Sequence, residues 1–151
     1  MSDNTEHKVE ANRAVPIWFW ILGVLAVLWN LIGLLAFVAQ MLMTEETMAQ
    51  LPEAQQDLYR NMPTWVNFAF AVAVVCGTLG TILLLVRTKF ATPVLALSLL
   101  GVLLQYGHMF LMTNTPSVMG AGAMVLPALV VLISIGLIPY STYCKGRGLL
   151  K

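Results

Sequence analysis

Residues 90–144 read FATPVLALSLLGVLLQYGHMFLMTNTPSVMGAGAMVLPALVVLISIGLIPYSTYC, with no Asp, Glu, Lys or Arg anywhere among them. A helix needs about 20 apolar residues to cross the ~30 Å hydrocarbon core of a bilayer. This tract is therefore long enough for two crossings and the turn between them. The turn falls at Thr113-Asn114-Thr115-Pro116-Ser117, because proline cannot continue a helix and Asn and small hydroxylated residues favour reversal. Gly120-Ala121-Gly122 then leads into the next helix. Upstream, Ala14–Thr44 and Asn61–Val86 are equally free of charge, and each holds one crossing.

Apolar tracts of this length satisfy their backbone groups as helices, not as the short alternating strands of a barrel. Composition agrees: 59% of the 151 residues are hydrophobic and 10% charged, against roughly 25% charged in soluble domains. A water-facing surface cannot be built from so few charges. The expected fold is all-α, an integral membrane four-helix bundle spanning 16–144, with crossings at about 16–43, 64–86, 92–112 and 122–144. A polar tail, 1–15, precedes it and a basic tail, 145–151, follows. Pro16, Pro63 and Pro93 sit where three of the helices begin, in the first turn, where a missing N–H costs nothing. Thr92 reads as the N-cap before Pro93.

Basic residues set the expected orientation. Lys8 and Arg13 precede the first span, Arg87 and Lys89 separate the second from the third, and Lys145, Arg147 and Lys151 follow the fourth. Only Arg60 falls on the other side, beside Glu45, Glu46, Glu53 and Asp57. The positive-inside rule then predicts a multi-pass protein of a bacterial inner membrane with both termini cytoplasmic. The first tract is too long for a signal-peptide core and lacks a cleavage site of small residues, so it is expected to remain as a helix. Trp18, Trp20 and Trp65, near helix ends, fit interfacial anchors.

The one sizeable external segment, Thr44–Met62, reads as a short amphipathic helix or helix pair broken at Pro52. Met48, Leu51, Leu58 and Tyr59 would lie on the membrane surface. Its acidic face either attracts cations or is simply solvated. There is no internal repeat of the kind that marks many transporters. Cys76 and Cys144 differ in depth and belong to no C-x-x-C, which excludes a thiol oxidoreductase. Nothing in charge or motif points to nucleic acid or to a cofactor.

Polar residues inside the spans are the candidates for function, since desolvating them costs free energy unless they find partners. Asn30, Gly33, Phe37 and Gln40 form one helical stripe of the first span, and Ser98, Gly101, Gln105, His108 and Met112 one of the third. The second span contributes Asn67 near its outer end and Cys76-Gly77-Thr78-Leu79-Gly80-Thr81 deeper down. By depth, Gln40, Asn67, Gln105 and His108 share a level in the outer half, with Asn30 deeper. They are expected to line a substrate-binding polar pocket; the alternative is interhelical hydrogen bonding that fixes register.

His108, the one histidine within a span, reads as a proton relay, a ligand contact or a satisfied structural residue. No Asp or Glu lies inside a span, which argues against carboxylate-driven drug exchange. Met41, Met43, Met48, Met62, Met109, Met112, Met119 and Met124 all fall toward the external side. Thioethers suit Cu(I), but the spacing matches no specific metal site and methionine is also adaptable packing. Gly77 and Gly80 allow close helix approach, within the bundle or between copies.

Several segments together resemble a group of small uncharacterised bacterial four-helix inner-membrane proteins, some of them labelled "sugar transporter". They are Trp18-Phe19-Trp20, Trp29-Asn30-Leu31-Ile32-Gly33, Phe37, Gln40, Leu51-Pro52-Glu53-Ala54 with Leu58-Tyr59, Pro63-Thr64-Trp65, Gly77-Thr78-Leu79-Gly80 and Ser98-Leu99. The resemblance covers most of the chain, implies transport and carries over no functional residues. Taken with the polar stripes, the expected function is binding or passage of a small neutral, sugar-like solute, with Trp29 or Phe37 as an apolar wall. The alternatives are a non-transporting protein that assembles with itself or a partner, and a small membrane enzyme. The spans lack the Arg clusters of four-helix membrane enzymes, so no enzymatic activity is expected. The expected partners are the lipid bilayer, a small-molecule solute and further copies of the chain.

Overall fold

The computed structural model describes residues 15–114, 117–118 and 120–150. Lys8 and Arg13 of the polar tail, Thr115 and Pro116 of the expected turn, Met119 and Lys151 lie outside the described residues. In chain order the helices are α1 (Ile17–Met41), α2 (Glu45–Ala49), α3 (Glu53–Arg60), α4 (Thr64–Leu85), α5 (Ala91–Leu111) and α6 (Val125–Gly146). A 3₁₀ turn, Ala121–Met124, leads into α6. Four of them, α1, α4, α5 and α6, are long and apolar enough to cross a membrane. They alternate in direction, so Arg87, Lys89, Lys145 and Arg147 gather at one end, the basic end. Glu45, Glu46, Glu53 and Asp57 mark the opposite, acidic end.

Helix starts are set by local chemistry. Pro16, Pro52 and Pro63 each occupy the N-cap position, in extended backbone one residue ahead of the helix. There the fixed φ of proline suits the entry and no N–H is lost from the helical ladder. Thr44 caps α2, its hydroxyl accepting from the Thr47 N–H at 3.3 Å. Thr92 does not cap α5, which begins one residue earlier at Ala91 behind Phe90. Its hydroxyl is instead bonded to that of Ser141 at 2.7 Å, joining α5 to α6.

The four long helices pack as a row, α1 on α4, α4 on α5, α5 on α6. The central pair is the closest. A Cβ added to Gly101 of α5 would stand 2.7 Å from the Ala69 carbonyl oxygen and 2.8 Å from the Ala73 nitrogen of α4. That approach lets the buried Ser98 hydroxyl donate to the Ala73 carbonyl at 2.6 Å. On the other side of α4, Gly77 faces Asn30 of α1, Gly33 faces Val74, and Phe37 meets Phe70 edge-to-face at 5.1 Å. Gly80 faces Leu95. The small-residue face of α4 is thus filled from within the same chain, and assembly between copies would have to use another surface.

The basic end is closed. Phe19, Leu84, Ala91, Cys144, Leu149 and Leu150 form a buried cluster there, so the segment after α6, expected to be a basic tail, turns Leu149 and Leu150 inward. Two helix ends make that turn possible. After α6, Gly148 takes a left-handed φ of 71°, the Leu149 N–H bonds the Cys144 carbonyl and the Gly148 N–H that of Lys145, each at 3.0 Å. This is the Schellman pattern, with glycine at the position that suits it. After α4 the same pattern recurs with Arg87 at φ 67°, a conformation rare for a side-chain-bearing residue. The Arg87 Nε donates to the Leu149 carbonyl at 2.7 Å, so the two caps hold each other.

Candidate functional site

The two polar stripes turn toward the neighbouring helix as their spacing requires, and both meet α4. Every member of the α1 stripe meets α4. Asn30 donates to the Ala26 carbonyl at 2.8 Å, and its Oδ1 abuts Gly77. Gln40 donates to Asn67 Oδ1 at 3.1 Å and approaches Met62 Sδ at 3.8 Å. The Gln40–Asn67 pair therefore ties α1 to α4 near the acidic end. Gln40 borders a hollow with Thr47 and Tyr59, which neither Gln105 nor His108 lines.

The α5 stripe divides along its length. Ser98 and Gly101 are buried against α4, as described above. Further along, His108 packs edge-to-face on Trp65 of α4 at 5.2 Å. Around it opens a hollow of about 410 Å³ beneath α3. Gln105, His108 and Met109 of α5, with Met112 just past its end, form one wall, Asp57, Asn61 and Met62 the other. Trp65, expected as an interfacial anchor, is thus also the platform for the histidine. Among the described residues no three His, Cys, Asp or Glu side chains converge as a metal site.

A second space of about 220 Å³ lies deeper, and all four long helices line it. Trp29, Asn30 and Gly33 come from α1, Phe70 and Val74 from α4, Ser98, Gln105 and Tyr106 from α5, and Val130, Ile133 and Ser134 from α6. It exists because α1 and α6, the two ends of the row, do not pack along their length. They meet at the basic end, where the Tyr140 hydroxyl donates to the Phe19 carbonyl at 3.3 Å and Trp18 lies 6.0 Å from the Tyr140 ring.

Gln105 borders both spaces. Its amide has no hydrogen-bond partner among the described residues, and neither do the Tyr106 and Ser134 hydroxyls in the deeper cleft. None of the three is a sealed, unsatisfied atom, and all three residues line the cleft. Of the five expected contacts, the structure brings Gln105 and His108 together in the outer hollow and Gln105 and Asn30 together in the cleft. Gln40 and Asn67 are joined to each other elsewhere. Tyr106 and Ser134 were missed, because single hydroxyls one residue off a stripe, or alone in an apolar span, carry little periodic signal.

No protein-family model, curated protein or solved structure matches the chain.

Proposed function

We propose that this chain is a multi-pass protein of a bacterial inner membrane, both ends cytoplasmic, that binds a small uncharged solute at Gln105. The orientation rests on the basic end, where Arg87, Lys89, Lys145 and Arg147 collect. The hollow beneath α3 then faces outward and receives the solute, with Asp57, Asn61 and His108 at its rim. One observation carries the binding role: the unpartnered Gln105 amide stands between the outer hollow and the cleft. An amide there offers donor and acceptor together, which suits hydroxyl or carbonyl groups and gives no counter-charge to an ion. The Gln40–Asn67 pair holds register. Binding needs only the open acidic end, whereas passage across the membrane also requires the Leu149–Leu150 cluster to open.

The test is a thermal-shift titration of the protein in lipid nanodiscs with neutral monosaccharides and polyols. The expected result is a saturable rise in Tm that Gln105→Ala abolishes and Gln40→Ala leaves in place. A rise that survives Gln105→Ala, or none with any uncharged solute, refutes the assignment.

A further inference from the structure

We infer that the cleft between α1 and α6 admits a lipid-phase ligand, a single-chain amphiphile with an uncharged oxygen-bearing head, entering sideways from the bilayer. The inference rests on Gln105 as a ligand contact and adds the ligand class and its route.

The route follows from the row of helices. With α1 and α6 meeting only near Trp18 and Tyr140, the seam between them is open toward the acidic end. Its rim residues Ile32 and Leu126, one on each flank, are 63% and 64% exposed. Both are apolar and belong to membrane-crossing helices, so the medium at the seam is acyl chain and not water.

The head is defined by what lies inside. Gln105, Tyr106 and Ser134 line the cleft, and their amide and hydroxyls have no partners among the described residues, at a depth where bilayer lipid tails cannot satisfy them. Leaving such groups unpaired in hydrocarbon is costly. A hydroxyl, ester or ketone head offers acceptors to such donors, and a hydroxyl can also donate to the Gln105 carbonyl. No Asp, Glu, Lys, Arg or His lines the cleft, so a charged or zwitterionic head would be desolvated with no counter-charge.

Size limits the tail. The cleft is a cavity of roughly 220 Å³. That holds a small head and its first few methylenes, with one chain trailing through the seam. A two-chain phospholipid does not fit.

Trp29, on the cleft wall, is a built-in reporter. In nanodiscs, protein carrying Trp18→Phe, Trp20→Phe and Trp65→Phe keeps it as the sole tryptophan, and the probe is a monoacylglycerol brominated in mid-chain. The expected result is saturable quenching of Trp29, with apparent affinity roughly threefold to tenfold weaker for Gln105→Leu and for Tyr106→Phe, as loss of one hydrogen bond predicts. The milder Tyr106→Phe removes only a hydroxyl, and far-UV circular dichroism verifies both folds.

Non-saturable quenching, equal in parent and variants or matched by brominated phosphatidylcholine, overturns the inference. If the amphiphile fails but glucose or glycerol shifts Trp29 emission in a Gln105-dependent manner, the sideways route is wrong and solute binding at Gln105 stands. If neither acts, both readings fall.

Discussion

Replacing Gly101 by alanine tests the packing on which the whole site depends. The added Cβ would stand 2.7 Å from the Ala69 carbonyl oxygen, 2.8 Å from the Ala73 nitrogen and 3.1 Å from the Ala73 Cα. All three are backbone atoms of a regular helix and cannot rotate aside, so α5 must move away from α4 by several tenths of an ångström. Overpacking of this kind costs roughly 1–3 kcal/mol. The same movement stretches the 2.6 Å bond from Ser98 to the Ala73 carbonyl, and interhelical bonds of this type average about 0.6 kcal/mol in membranes. Together these come to roughly 1.6–3.6 kcal/mol, less the up to about 1 kcal/mol by which helix propensity favours alanine. Gly107, on the same helix, is the matched control. A Cβ there meets nothing within 4 Å, and helix propensity favours alanine over glycine by up to about 1 kcal/mol. Reversible unfolding in bicelles, by denaturing detergent or steric trapping, measures both. If Gly101→Ala stays within about 0.5 kcal/mol of the parent, or Gly107→Ala loses as much as Gly101→Ala, then α4 and α5 do not pack in this register.

Other expectations follow from single contacts. Gln40→Ala and Asn67→Ala in a double-mutant cycle should show a coupling of about 0.6–1.7 kcal/mol; a coupling near zero would mean the 3.1 Å bond is not formed in lipid. Arg87→Gly should unfold later than Arg87→Ala by about 1 kcal/mol. Both lose the bond to Leu149, and only alanine keeps the cost of a left-handed φ; equal stabilities would contradict the 67° conformation. Cys144 is fully buried beneath Leu149 and Leu150, so a membrane-permeant maleimide should modify Cys76 first. Arg87→Ala should raise the Cys144 rate by releasing the segment that covers it, and an unchanged rate would show that the cover does not depend on that bond.

The architecture was legible where physics acts along the chain. Charge-free tracts marked the four long helices to within about three residues, since membrane thickness sets their length. The stripes at 30, 33, 37, 40 and at 98, 101 turned toward a neighbouring helix, because helical period alone decides which residues share a face. What period cannot say is which neighbour that face meets. Four residues at one depth suggest one pocket, yet Gln40 bonds Asn67 of α4 near the acidic end while Gln105 and His108 line a different hollow. The inward turn of Leu149 had a readable signal that the charges around it obscured. Gly148 followed by leucine is the sequence of a Schellman end, in which the residue after the glycine packs back on the helix.

The row arrangement also explains why polar groups inside the bundle are satisfied unevenly. Where two helices approach through glycine, as at Gly101, backbone carbonyls and side chains come within hydrogen-bonding range and Ser98 finds the Ala73 carbonyl, whereas Asn30, packed against Gly77, bonds the Ala26 carbonyl of its own helix. Gln105 lies one turn beyond Gly101 on the same stripe, and Ser134 projects from α6 across the space that α1 would have to fill. Closing that space would require α1 and α6 to approach along their length, as the flanks of a compact four-helix bundle do. Instead Trp18, Tyr140 and Tyr143 pack between them at the basic end, with ring centroids about 6 Å apart. Contact at that end, without packing along the flanks, leaves the cleft between α1 and α6.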